Sequence, residues 1–422
     1  MKIARSYPLT AALAAAALLA LAPRGRAQAA GDLQVTVGQT VEITRSHSWC
    51  WFPTIHKFRS GELLVGVVLA PDQINSESAV SAYCISRDGG LTWSRRYTMG
   101  QGANQDGAWS ETPDASDQIW QLGSYPESQR EDDPRHFYAT LTKFGRGGRA
   151  SSEDRDVALT LTEPAHNAAS WLFDYRFDGK NPVSDTRFTS QFHLRPWGNI
   201  VQGRGGELYC SAYFTAQSDA EREEDAANQK NVEARLALRF NRDVLLRSTD
   251  GGKSWVQYGT IAVLPAGDRP AWVGSEGYNE GSVAFLPDGR LYAVYRTGGR
   301  SGTIGHGWSS DGGKTWTAPA SIGFAGVAPR VHRLSNGMLA MVTGRPGPVV
   351  LRFNLDGTGR EWSHPVTLYS EMSTRYTDLT EVSPGKLLVV YDHVPYGWFE
   401  IPFADRDARN IIYGTFVTVN KN

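Results

Sequence analysis

Cysteine is nearly absent from this chain of 422 residues: Cys50, Cys84 and Cys210 are the whole set. An odd number with no metal-ligand spacing excludes a disulfide framework and leaves room for one disulfide at most. Small buried hydrophobes are the expected role of all three. Excess charge of either sign is also missing. The formal net charge is −1, which removes any global electrostatic drive toward nucleic acid or an anionic membrane. No H-x-x-H, C-x-x-C or EF-hand spacing occurs, so no metal or other cofactor is expected. Beyond the N-terminus there is no long apolar run, and helical periodicity is weak throughout.

What is present is glycine, 44 residues, and tryptophan, 13. That pairing suits many tight turns between short aromatic-rich strands. Lys2 and Arg5 precede an Ala/Leu run, Leu9 to Leu21, too short to span a bilayer comfortably, and Ala27-Gln28-Ala29 offers an A-x-A cleavage site. Residues 1–29 are therefore expected to be a signal peptide. Residues 30–422 are expected to be one domain, periplasmic or secreted, monomeric, and not inserted in a membrane.

Two patterns repeat. Ser86 to Trp93, Ser248 to Trp255 and Ser309 to Trp316 share an S-x-D-G-G-x-[ST]-W form, and Asn354 to Trp362 is a worn copy one residue longer. Ser and Asp side chains hydrogen-bond nearby backbone, the glycines supply positive φ, and the Trp folds back as a plug. The second repeat is a strand pair around a turn: Phe52 to Leu69, Trp197 to Phe214, Glu280 to Arg296, Arg330 to Arg345 and Tyr376 to Asp392, with a poorer copy between Gln118 and Thr142. Six copies predict an all-β chain, a six-bladed β-propeller with units of roughly 65 residues. Leu33 to Ile43 and Ile411 to Val419, from opposite ends of the chain, are expected to share the last blade. Tandem Ig-like domains are the competing fold. Gly100 to Asp133 reads as a polar loop over one face. Ser218 to Leu236 reads as a charged, solvated insertion able to form one helix.

The S-x-D-G-G-x-T-W turns resemble the Asp-boxes, or BNR repeats, of the sialidase (neuraminidase) superfamily, and the resemblance covers essentially the whole chain after the leader. It implies a six-bladed propeller and, for catalytic members, a Tyr nucleophile assisted by Glu, an Asp acid/base, and Arg residues holding a sugar carboxylate. Tyr376-Thr377-Asp378-Leu379 is similar to the family's Y-S-D-L segment, which makes Tyr376 the nucleophile candidate and Glu280 its base. Arg296 and Arg345 are then the carboxylate-binding candidates, and Asp392 falls where the family has an acid supporting an Arg. Asp72 is the acid/base candidate, with Glu77 as the alternative. Where the family has an Arg before Ile-Pro, this chain has Trp51 before Phe52-Pro53, so Trp51 stands in the substrate-binding position and Arg45, Arg195 or Arg330 is left to replace the cation. Each candidate also has a structural reading: a core aromatic for Tyr376, ion pairs for Glu280 and the arginines, a loop carboxylate for Asp72, packing for Trp51. His306 and His393 read as ordinary polar residues. The expected activity is a retaining exo-glycoside hydrolase acting on a glycan that ends in an acidic, sialic acid-type sugar. The alternatives are an exo-glycosidase for a uronic acid, arabinose or rhamnose, and a propeller that binds glycan or protein without chemistry.

Overall fold

The structure of the chain, a computed structural model, describes residues 27–30, 33–47, 50–69, 81–98, 107–129, 133, 135–165, 168–178, 181–192, 194–216, 242–264, 269–274, 276–298, 302–397 and 401–421. The leader up to residue 26, Asp72, Glu77 and the 218–236 insertion lie outside them.

The Asp-Gly turns close as their residue types dictate. In the first, Ser86 Oγ donates to Asp88 Oδ1 (2.8 Å) and accepts from Gly90 N–H (2.8 Å), while the Asp88 carboxylate accepts from Leu91 N–H and from both the N–H and hydroxyl of Thr92. The Thr92 hydroxyl and N–H hold the Asp88 carboxyl well below its ordinary range. Trp93 Nε1–H returns to the Gly90 carbonyl at 3.1 Å. The second and third copies repeat this network. In the worn copy Asn354 Oδ1 takes the serine's place, accepting from Gly359 N–H, and Trp362 still reaches the Gly359 carbonyl. The last glycine of each turn lies flush on a strand beyond its own hairpin. A Cβ there would stand 2.5 Å from Leu388, 3.0 Å from Leu141, 2.2 Å from Leu245 and 2.6 Å from Tyr292 for Gly90, Gly252, Gly313 and Gly359. Three of the four turns therefore join sheet to sheet as well as strand to strand.

Strands β1 (Ala27–Ala30) and β2 (Leu33–Ser46) open the chain; β3 (Trp51–Lys57), β4 (Leu63–Val68), β5 (Ser81–Ser86) and β6 (Tyr97–Thr98) form an antiparallel sheet. Then come β7 (Ala108–Ser110), β8 (Ile119–Gln129), β9 (His136–Phe144) and β10 (Ala150–Thr160), the hairpin β11 (Ala168–Asp178) and β12 (Asn181–Phe192), and β13 (Arg195–Gln202), β14 (Leu208–Phe214), β15 (Arg242–Ser248) and β16 (Ser254–Val263). Two more antiparallel sheets follow: β17 (Asn279–Phe285), β18 (Leu291–Arg296), β19 (Gly305–Ser309) and β20 (Ala320–Ser321), then β21 (Val327–Arg333), β22 (Leu339–Gly344), β23 (Val349–Asn354) and β24 (Val366–Tyr369). Last are β25 (Thr377–Ser383), β26 (Lys386–His393) and β27 (Asn410–Lys421). β27 pairs with β2 from Leu33↔Lys421 to Ser46↔Asn410, so the two ends of the chain close one sheet, β1-β2-β27-β26-β25, as expected.

Two expectations change. Strands β7–β10 and β13–β16 form a closed eight-strand set rather than two separate sheets. Three-residue parallel pairings, β7 with β13 and β10 with β16, join them at both rims around a shared core that includes Leu122, Leu141, Cys210, Leu246 and Trp255. The stretch from Gly100 to Asp133 is not one loop, for it carries β7 and β8. Trp109 is buried, stacked on His56 (4.5 Å) and Phe144 (5.3 Å), and the Trp120 indole N–H is held by Asp114, so the aromatics anchor strands that polar composition disguised. All three cysteines are free and buried, with no disulfide.

Candidate active site

Five inner strands begin with the same backbone irregularity. Phe52 in β3, Gly198 in β13, Glu280 in β17 and Ala328 in β21 have φ of 52°, 75°, 49° and 40°, each at a register break, and Arg375 at 70° stands two residues before β25. Positive φ costs a residue with a side chain about 1–3 kcal/mol. Bulges of this kind re-aim side chains out of the strand's alternation. Here they bring Phe52, Trp197 and Glu280 to Tyr376.

Tyr376 Oη donates to Glu280 Oε1 at 2.6 Å. Its ring lies 4.5 Å from Phe52 and meets Trp197 edge-on at 6.3 Å, and the Arg345 guanidinium sits 5.5 Å from its centroid. Glu280 is buried, and burial works against its charge. Arg296 Nη1 on Oε1 (2.9 Å), the Tyr376 hydroxyl, the nearby Arg345 charge and the Ala328 N–H on Oε2 (2.9 Å) outweigh that cost and hold the carboxyl below its ordinary range. Glu280 is thus an ionised carboxylate aimed at a tyrosine hydroxyl. That is the arrangement a base needs to take the proton of an attacking phenol.

Arg296 is more committed than a substrate clamp would be. Its second nitrogen donates to Glu276 Oε1 at 2.9 Å, so two carboxylates share one guanidinium. Arg345 donates to the Thr374 carbonyl at 2.7 Å beside Tyr376. Asp392 is wholly buried, with the Arg375 charge near it. It accepts from Ser373 Oγ (2.8 Å), the N–H (2.7 Å) and hydroxyl of Thr374, and Phe52 N–H (3.3 Å). Its work is to pin the turn into Tyr376 against β3, which corrects its assignment to substrate binding. Trp51 is 0% exposed, which removes it from any sugar face; the bulge shifts the alternation by one and puts Phe52 against Tyr376 instead.

Of the replacement cations, Arg45 spends both ends of its guanidinium on Glu42 on strand β2, far across its sheet from β25. Arg195 is half-buried at the start of β13. Arg330 is buried with its guanidinium 5.7 Å from the Trp197 ring. His306 and His393 take Tyr292 and Tyr369 hydroxyls as partners, as ordinary polar residues do. Asp72 and Glu77 lie outside the described residues.

Sequence reading missed two features. Glu276 is one; its only signal is an acid set between glycines just ahead of Tyr278. The other is a buried spoke below Tyr376. His332 on β21 reaches Asp378 Oδ1 of β25 with Nε2 at 3.0 Å and Glu111 beyond β7 with Nδ1 at 3.5 Å, while Asp378 Oδ2 accepts from Ile55 N–H of β3. Burial opposes the imidazolium, but the two carboxylates prevail and raise its pKa to about 9. Because the folded value lies above the ordinary 6.5, the spoke's stabilisation is complete below pH 6.5 and is lost as pH rises through about 9. Urea unfolding should therefore show wild-type stability falling by about 2–3 kcal/mol between those pH values. His332→Gln should lack that slope, and equal slopes in the two proteins would show that the spoke is uncharged.

Residues 231–389 match the family model of a BNR repeat-like domain. No curated protein matches the chain. Among solved structures, a protein of unknown function from Dyadobacter fermentans aligns at 19% identity and TM-score 0.63, covering 92% of this chain and 99% of that one. A Hadza microbial sialidase aligns at 17% and 0.53 over 82% of this chain but only 64% of its own length. A mutant form of the α-L-arabinofuranosidase of Fusarium graminearum, in complex with an iminosugar inhibitor, aligns at 15% and 0.54 over 90% and 98%. At these identities the likeness is one of fold. Residues 231–389 thus match a BNR repeat-like domain, and the chain shares its fold with a sialidase and an arabinofuranosidase.

Proposed function

We propose that this protein is an exported, retaining exo-glycoside hydrolase in which Tyr376 is the nucleophile and Glu280 its base. The observation that carries the reading is the 2.6 Å hydrogen bond from Tyr376 Oη to an ionised, buried glutamate. Glycosidases with a tyrosine nucleophile are a recognised departure from the two-carboxylate scheme. In the first step the Tyr376 oxygen bonds to the anomeric carbon and its proton passes to Glu280. The bond to the aglycone oxygen breaks, and that oxygen takes a proton from the acid, the role assigned to Asp72. In the second step water attacks the glycosyl-tyrosine, giving its proton to the Asp72 carboxylate, and Tyr376 recovers its own from Glu280. Arg296 and Ala328 N–H hold Glu280 in place throughout. We read the closed eight-strand set as two blades touching at their rims, which with the one five-stranded and three four-stranded sheets makes a six-bladed propeller, the β11–β12 hairpin standing apart from the blades. The seating of Gly90, Gly313 and Gly359 on another sheet, and of Gly252 on Leu141 across the eight-strand set, supports that reading.

An acidic sugar, as in a sialidase, requires cations for its carboxylate. Arg345 and Arg296 are the candidates, and Arg296 already carries two carboxylates. The test is a panel of chromogenic exo-glycosides, charged and uncharged, against the protein and Tyr376→Phe. Turnover that disappears in the variant supports the reading. No turnover by either protein, with glycan binding retained, marks a binding propeller instead.

A further inference from the structure

The loops on either side of the β17–β18 hairpin interlock through glycines, and their packing delivers one carboxylate to Arg296. Gly274 faces Gly298 so closely that a Cβ would stand 1.5 Å from its carbonyl oxygen. A Cβ on Gly302 would stand 2.1 Å from the same oxygen, and one on Gly298, at φ +70°, would stand 2.4 Å from the Glu276 side chain. Gly274 N–H donates to Thr297 Oγ1 (3.2 Å), which donates on to the Thr303 carbonyl (2.8 Å), and Arg269 donates to the Gly274 carbonyl (3.2 Å). Any side chain at these three glycines would push the loops apart. Glu276 is therefore held by the fold against Arg296, with its side chain 20% exposed beside the buried Glu280.

We propose that Glu276 is a specificity-determining residue that excludes carboxylated sugars, so that the substrate ends in an uncharged sugar. The inference rests on the glycosidase reading above. Among the described residues, the Tyr376 hydroxyl and ring meet Glu280 and Arg345 directly, and Arg296 joins Glu280 to Glu276; further out, Arg330 faces Asp378 and Arg375 faces Asp392, so each guanidinium already has a carboxylate to answer it. The set is balanced before any sugar arrives. A sugar carboxylate would add an unmatched negative charge in a partly desolvated site, where like charges repel strongly. It would also find the Arg296 fork, the geometry best suited to it, occupied on both sides. Building repulsion against the wrong ligand is how a binding site discriminates between partners. An uncharged sugar asks for no cation and leaves the balance intact, and Tyr376, whose hydroxyl donates to Glu280, can attack either class.

The experiment compares kcat/KM for 4-methylumbelliferyl α-sialoside and β-glucuronide with that for the α-L-arabinofuranoside and α-L-rhamnoside, in wild type, Glu276→Gln and Glu276→Asp. Wild type is expected to favour an uncharged glycoside by about 100-fold or more, the scale of two pKa units of interaction. Glu276→Gln is expected to narrow that ratio about tenfold through KM for the acidic substrates, and Glu276→Asp, which keeps the charge, to hold the wild-type ratio. Wild-type preference for an acidic glycoside, or a ratio that Gln leaves unchanged, overturns the proposal. Calorimetric titration of free sialic and glucuronic acids into wild type and Glu276→Gln separates this outcome from failure of the catalytic reading. A tenfold gain in acid binding by the Gln variant sustains the role of Glu276 even if no glycoside is hydrolysed, and equal binding overturns it.

Discussion

Tyr376→Phe is expected to lower kcat/KM on the preferred exo-glycoside by about 10³–10⁵-fold, equivalent to roughly 4–7 kcal/mol of transition-state stabilisation. The substitution removes a single oxygen. The ring keeps its contacts with Phe52, Trp197 and Arg345, so folding and sugar binding should survive. The loss should therefore fall on kcat and leave KM within a few-fold. Glu280 would lose one of its hydrogen bonds but keep Arg296 and Ala328 N–H, so no buried charge is orphaned. A melting temperature near that of wild type, together with lost turnover, separates chemistry from structure. If Tyr376→Phe retained more than a tenth of the activity, Tyr376 would be a packing residue and the nucleophile would lie elsewhere.

Glu280→Gln is expected to cost about 10²–10⁴-fold in kcat, the range for loss of a positioned base. The amide can still accept from Tyr376, so geometry is largely kept while the proton acceptor is lost. Arg296 retains Glu276, which limits the structural penalty to about 1–3 kcal/mol, less than an orphaned buried charge would cost. The pH profile carries a sharper reading. Because the Glu280 carboxyl is held below its ordinary 4.5, it stays ionised at mild acidity. Wild-type kcat/KM should therefore show no limb from Glu280 above about that value. The same shift means that Glu280 stabilises the fold above the ordinary carboxyl pKa and that this contribution fades as pH falls through the lowered one. An acid limb near pH 6 that persisted in Glu280→Gln would belong to another group.

Much of this site was legible because strands in a turn-rich chain begin at marked places. Tyr376 and Glu280 are far apart in sequence, yet both open an inner strand of a recognisable hairpin, and the five hairpins align their starts. The resemblance of Tyr376-Thr377-Asp378-Leu379 and of the Glu280 strand to sialidase motifs is what pairs the two, and their places at hairpin starts agree with it. Two kinds of information were not legible. The bulges insert a positive-φ residue at each strand start, and a one-residue slip exchanges inside for outside. That is why Trp51, expected near substrate, is buried, while Phe52 faces Tyr376. Tertiary pairing of charges is the other. Nothing local to Glu276 announces that glycine packing folds it onto Arg296, and nothing local to His332 announces that Glu111 lies on its far side. Asp392 was expected among the substrate-binding residues as an acid supporting an arginine; it is buried, and its oxygens accept from a serine, a threonine and the backbone of β3. The 107–129 strands were disguised by polar residues whose spacing hides Trp109 and Ile119 in the core.

The central claim is covalent chemistry at one oxygen, and it can be read directly. A slow 2-fluoro glycoside of the preferred sugar, added to the wild-type protein, should trap the glycosyl-enzyme. Peptide mass spectrometry should then place the sugar's mass on the tryptic peptide bearing Tyr376, on the tyrosine itself, with none on that peptide in Tyr376→Phe. A label on Glu280 or another carboxylate, or rapid turnover to an inverted product without any adduct, would contradict it.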